Sequence, residues 1–219
     1  MDVIARQAED VFQRFRVLPG ADLMASPCSI EGLFRLIDQQ RPKRILEIGA
    51  GIGTLTSVII AAAPAASCIV TIEEVPFCRE QLTTNLGSDL DRLELRDAAE
   101  NLPGEYDLLV VDGHQLINLV PHVARGGIVF VEGDRWEQRG ALAASKREHC
   151  VTHIRSLRLQ GPEEHGAEGE RYHSGYWIFR FEPSPSVRVS SGVSNLWHNT
   201  AIGFRRRVRR LCRLERAAP

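Results

Sequence analysis

The sequence predicts an α/β fold: a three-layer sandwich around a mostly parallel seven-stranded sheet, with an antiparallel strand at one edge. Three observations predict it. Short apolar strands alternate with helical segments from Arg44 to His149, the pattern of a parallel sheet wrapped by helices. Tyr106–Val111 and Ile128–Val131 are apolar at nearly every position, as strands buried on both faces are. Finally, Val151–Leu159 and Tyr176–Phe181 are β-rich with no helix between them, which calls for an antiparallel pair.

The elements follow in order. Ile4, Val11, Phe12 and Phe15 recur at helical spacing, so Asp2–Phe15 is a helix. Pro19-Gly20 breaks the chain, and Ser26-Pro27 opens a second helix with Ile30, Leu33, Phe34 and Ile37 on one face, ended by Pro42. Arg44–Ile48 is a strand, Gly49–Gly53 a turn and Thr54–Ala63 a helix. Cys68–Ile72 is the second strand, and Pro76–Leu86 a helix whose proline sits in the first turn, where its missing N–H costs least. Leu93–Leu95 and Tyr106–Val111 are strands, Gln115–Ala124 a helix despite Pro121, Ile128–Val131 a strand after the Gly126-Gly127 turn, and Trp136–His149 a helix. Residues 1–183 form one domain, with 1–40 as an N-terminal helical lid. Ser190–Gly192 is linker-like, and Phe204–Leu214 forms a helix in a basic C-terminal extension, 184–219.

Composition sets limits on function. A chain of 219 residues with 43% hydrophobic and 25% charged residues buries a core without disulfides. Its five cysteines include no CxxC pair, so a zinc ribbon or redox dithiol is not indicated, and reduced thiols in a cytoplasmic protein are expected. No signal peptide is visible, and the longest apolar stretch, Val58–Ala66, is too short to span a bilayer. The net charge of −1 conceals an uneven distribution: residues 184–219 carry eight arginines against one glutamate.

Leu46-Glu47-Ile48-Gly49-Ala50-Gly51-Ile52-Gly53-Thr54 carries the chemistry. A buried strand runs into a turn of three alternating glycines that opens a helix, offering unpaired N–H groups and close backbone approach to a nucleotide-like ligand. A dinucleotide fingerprint places a small residue where Thr54 stands, and Glu47 would not assist a pyrophosphate. A ligand bearing an amino or sulfonium cation explains Glu47 better; a glycine turn without ligand is the plainer alternative. Glu73, at the tip of the second strand, is placed to accept the two hydroxyls of an adenosine ribose, with Glu74 the solvated neighbour.

With Thr71-Ile72-Glu73 after the glycine turn, the chain resembles the Rossmann-like class I S-adenosylmethionine-dependent methyltransferases. Arg96-Asp97-Ala98-Ala99, Tyr106–His114 and Ala124–Val129 resemble successive segments of that family, over residues 26–182. Val111-Asp112-Gly113-His114 and Met24-Ala25-Ser26-Pro27 resemble its catechol-type small-molecule O-methyltransferase branch. The resemblance implies a cofactor, S-adenosyl-L-methionine, held by Glu47, Gly49, Gly51, Gly53, Glu73, Asp97, Ala98 and Asp112. Gly49 and Gly53 would flank its methionine part, Glu73 take the ribose, Asp97 and Ala98 lie near the adenine, and Asp112 near the sulfonium and acceptor.

The resemblance also implies methyl transfer to a small-molecule acceptor, at oxygen. Metal-dependent members place Asp-Asn after the fifth strand, whereas this chain has Glu132-Gly133-Asp134. Asp112, Glu132 and Asp134 could supply oxygen ligands to a divalent metal, but Gly133 stands where an amide ligand would be, so metal is not favoured. The metal-free alternative is a histidine base, His114 first and His173 second. Trp136 is a candidate wall of the acceptor pocket. Two other functions stay open: methylation of an RNA, protein or lipid-linked glycan recruited by the basic tail, and non-catalytic cofactor binding. Phe204, Val208 and Leu211 among arginines make a basic amphipathic helix that can dock on the acidic body, on a sister subunit of a homodimer, or on a membrane. A nucleic-acid partner is disfavoured, since no RNA-binding fold is recognised.

Overall fold

The structure is a computed structural model, and it describes residues 2–112, 120–133, 149–155 and 175–216. The strands are β1 (Arg44–Ile48), β2 (Cys68–Ile72), β3 (Glu94–Arg96), β4 (Tyr106–Val111), β5 (Val123–Glu132), β6 (His149–Arg155) and β7 (Gly175–Phe181). They form a seven-stranded sheet in the order β3-β2-β1-β4-β5-β7-β6. All pairs from β3 to β5 are parallel, while β7 runs antiparallel to both β5 and β6. β7 pairs antiparallel with β6, the arrangement that the missing helical pattern between the two segments of sequence predicts.

The helices are α1 (Val3–Phe15), α2 (Pro27–Gln40), α3 (Thr54–Ala62), α4 (Pro76–Leu86) and α5 (Pro185–Arg216). Asp2 caps α1 by accepting the Ala5 N–H, and Ser26 caps α2 by accepting that of Ser29. Alternate strand residues point to opposite faces. Ile45, Ile69, Leu108, Val110, Phe130 and Ile178 pack with the apolar faces of α1 to α4. Leu46, Ile48, Val70, Leu109, Val129 and Phe179 build the core of the other face. Gly32 lets α2 cross β7 closely: a Cβ there would stand 2.3 Å from the Tyr176 ring, which itself stacks on Phe130 at 4.8 Å.

Three expectations are corrected. Val123 and Ala124 are not helical; they begin β5, where Val123 pairs with Tyr106. Pro121 lies in the 3₁₀ segment Val120–His122, and Gly126 at φ 74° accompanies a register shift inside the strand instead of ending it. His149 likewise opens β6 rather than closing a helix. The linker expected at Ser190–Gly192 is also absent: α5 runs unbroken through it. Ser191 is buried against β6, its hydroxyl 3.5 Å from the Cys150 sulfur, and Asn195 donates to the Val151 carbonyl at 2.7 Å. Tertiary packing outweighs the weak helix propensity of Ser-Ser-Gly. The expected helices 115–124 and 136–149 otherwise lie outside the described residues, as does the 161–174 loop.

Candidate functional site

The site lies where β1, β2 and β4 end. β1 stops at Ile48, and the turn that follows needs positive φ at Gly49 (78°), Gly51 (56°) and Gly53 (96°), the last capping α3. The turn is anchored to its neighbours: Gly49 N–H donates to the Ile72 carbonyl at 3.0 Å, and Asp112 N–H to the Ile48 carbonyl at 2.9 Å. Gly49 and Asp112 therefore flank the tip of β1, with Asp112 half-buried.

Glu73 braces this turn. Its Oε2 accepts the Gly51 N–H at 2.6 Å and its Oε1 the Val75 N–H at 2.8 Å, and the residue is buried. Its own N–H donates to the Arg96 carbonyl at 3.0 Å, which joins the tips of β2 and β3. Glu74 is exposed. Beyond Arg96, Asp97 and Ala98 line a groove of about 560 Å³ with Arg79, Leu95 and Glu100, and Asp97 pairs with Arg79 at 3.8 Å.

Glu47 lies deeper, 1% exposed, beneath the glycine turn. Its Oε2 accepts from Thr56 Oγ1 at 2.8 Å and Thr71 Oγ1 at 3.0 Å, whereas its Oε1 is buried with no partner among the described residues. Burial pushes its pKa up to about 7; the two threonine hydroxyls pull it down, and the Glu73 carboxylate pushes it further up. Local sequence gives neither threonine a role, although Thr71 belongs to the Thr71-Ile72-Glu73 segment. The signal for Thr71 is its place directly across from Glu47 in the β1–β2 register.

Glu132 ends β5 against the start of α2. Its Oε1 lies 3.1 Å from Ser29 Oγ and 3.4 Å from the Ser26 N–H, so the carboxylate tethers the start of α2. Among the described residues no group of three His, Cys, Asp or Glu side chains is placed to hold a metal ion. His114, Asp134, Trp136 and His173 lie outside the described residues.

In the solved O-methyltransferase TomG of Streptomyces achromogenes, in complex with S-adenosylmethionine, 91% of the chain matches 84% of this one, with a TM-score of 0.57 and 19% identity. This is the class I methyltransferase fold. The O-methyltransferase of Bacillus cereus, in complex with the demethylated cofactor, shares the methyltransferase fold over 83% of this chain and 91% of its own, at TM-score 0.57 and 16% identity. So does precorrin-6y C5,15-methyltransferase of Geobacter metallireducens, over 74% and 91%, at TM-score 0.59 and 15% identity. Among curated sequences, the protein-L-isoaspartate O-methyltransferase of Methanocella arvoryzae is 28% identical over 93 residues, 40% of this chain and 50% of that protein. The match thus spans half the length of that relative. No protein-family model matches the chain.

Proposed function

We propose that this protein is an S-adenosylmethionine-dependent methyltransferase that methylates a small-molecule acceptor at oxygen. The observation that carries the proposal is the 2.6 Å bond from Gly51 N–H to Glu73, which couples the glycine turn to the acid at the tip of β2. The residues fit the cofactor. The glycine turn lets a ligand approach the backbone, Glu73 is the one carboxylate of its pair that is buried at the strand tip, and Glu47 has a buried oxygen without a partner for a cationic donor. Its adenine side would be taken by Asp97 and Ala98, which line the neighbouring groove. When bound, the cofactor supplies a methyl group already activated on a sulfonium.

The protein's own work is then positioning and exclusion of water. The glycine turn and Glu73 fix the donor, and Asp112 at the tip of β4 borders the acceptor space. Glu132 holds the start of α2 against β5, and the N-terminal helices would close over that space as a lid. The proton released by a hydroxyl acceptor goes to a base, for which His114 is the first candidate and His173 the second.

Calorimetry with S-adenosylmethionine tests the cofactor. Micromolar binding is expected; no binding at millimolar ligand, or tighter binding of a nicotinamide dinucleotide, overturns the proposal. Turnover that survives EDTA but falls in His114→Ala supports the histidine base, and turnover lost to EDTA and restored by magnesium replaces it with a metal. One observation favours a second acceptor class: the curated relative is named for a protein acceptor. Methylation of an isoaspartyl peptide, with no small phenol or alcohol accepted, would decide for it.

A further inference from the structure

The outer face of α5 belongs to no part of the site described above. The helix spans Pro185–Arg216, and its first half lies on the terminal strand β6 through Ser191 and Asn195. At about 100° per residue, Val187, Ser194 and His198 share that docked side, and all three are half-buried. Val189, Val193, Leu196, Trp197 and Phe204 fall on the opposite side. Each of these five is between 63% and 70% exposed, so an apolar stripe roughly 22 Å long points away from the folded chain.

The sequence continues the repeat. Val208 and Leu211 fall in line with Trp197 and Phe204; of the seven arginines from 205 to 216, Arg207 falls in line with Val189 on the apolar side and Arg210 on its flank, while Arg205, Arg206, Arg209, Arg213 and Arg216 fall on the other side of the helix. Glu215 is the one acid between Pro185 and Arg216. The helix is thus apolar along one face and strongly cationic along the other, and no helix among the described residues is long and apolar enough to cross a membrane.

We infer that α5 seats the protein on an anionic lipid surface, with the Val189–Phe204 stripe in the acyl boundary and the arginines at the headgroup phosphates. Two features of the helix select this occupant. The stripe carries large aromatic side chains that gain by leaving water, and the arginines need an anion alongside. A second copy of the helix could cover the stripe, but it would bring two arginine-rich segments together with one glutamate each to offset them. An RNA would engage the arginines and leave the stripe in water. Among the described residues nothing in the body of the same chain covers it, since each stripe residue is at least 63% exposed.

The test is flotation of the full-length protein with phosphatidylcholine vesicles, with and without phosphatidylglycerol, at low and high salt, read alongside tryptophan emission. Binding is expected to the anionic vesicles, to weaken with salt, and to shift the emission to the blue; Trp197→Phe removes most of that shift. The pair Phe204→Glu and Val208→Glu should lower partitioning at least about ten-fold while thermal melting and cofactor binding stay unchanged. Arg209→Glu with Arg213→Glu should abolish the preference for anionic vesicles. Failure to float with anionic vesicles overturns the inference. So does tight binding of an RNA oligonucleotide that Phe204→Glu leaves intact with no lipid binding, or a dimer by light scattering that the same substitution dissociates. The inference stands apart from the proposed activity, because flotation needs neither cofactor nor acceptor.

Discussion

Glu47 makes stability fall as pH rises, and Glu47→Gln removes that dependence. Burial raises the folded-state pKa from 4.5 to about 7. Between those values the unfolded chain has released a proton that the folded chain still holds, so each step up in pH favours unfolding. The penalty is absent below the unfolded pKa, grows up to the folded one, and is constant above it. At about 1.4 kcal/mol per pKa unit, it reaches roughly 3 kcal/mol. Glutamine keeps a carbonyl for Thr56 and Thr71 but buries an amide where Oε1 has no partner, at a cost of about 1 kcal/mol. The variant should therefore be less stable than the parent by about 1 kcal/mol near pH 4.5 and more stable by about 2 kcal/mol near pH 8. Urea unfolding of both proteins across that range, followed by tryptophan fluorescence, measures the difference, and the other titrating groups cancel in it. Curves that run parallel from acid to alkaline pH would refute a buried carboxylate whose pKa is raised.

Three further outcomes follow from the geometry. Glu73→Gln keeps the shape but removes the charge from the bonds to Gly51 and Val75, and should cost about 1–2 kcal/mol in unfolding experiments while weakening S-adenosylmethionine binding at least about ten-fold in calorimetry. Gly32→Ala drives a methyl group into the Tyr176 ring and should cost about 1–3 kcal/mol, seen as a lower melting temperature; an unchanged melt would mean that α2 does not lie on β7 as described. Glu132→Ala frees Ser26 and Ser29, so the amides at the start of α2 should exchange with deuterium faster and KM for the acceptor should rise more than kcat falls.

The strands that carry the site were legible in the sequence because each is a short, mostly apolar run between turn residues. Arg44–Ile48, Cys68–Ile72 and Tyr106–Val111 have the expected limits, and the three glycines after Ile48 adopt the positive φ that their spacing suggested. Long-range partnerships were not legible. Nothing local announces that Glu47 leans on a threonine nine residues ahead and on another across the sheet, or that Glu132 tethers Ser29, 103 residues away in the chain. The start of β5 was misread for the same reason: Val123 is held extended by Tyr106, a partner that local periodicity does not reveal. Ser-Ser-Gly signals a linker in isolation and becomes helix only because β6 lies beneath it.

The seating of α5 on β6 also bears on solubility. β6 is the last strand of the sheet, and a terminal strand offers its free backbone groups to any other extended chain. Asn195 already occupies one such group, the Val151 carbonyl, and the body of the helix lies alongside. Cutting the chain before Pro185 would therefore strip a guard from an open β edge, and the shortened protein should form strand-to-strand aggregates under conditions in which the full chain stays dispersed.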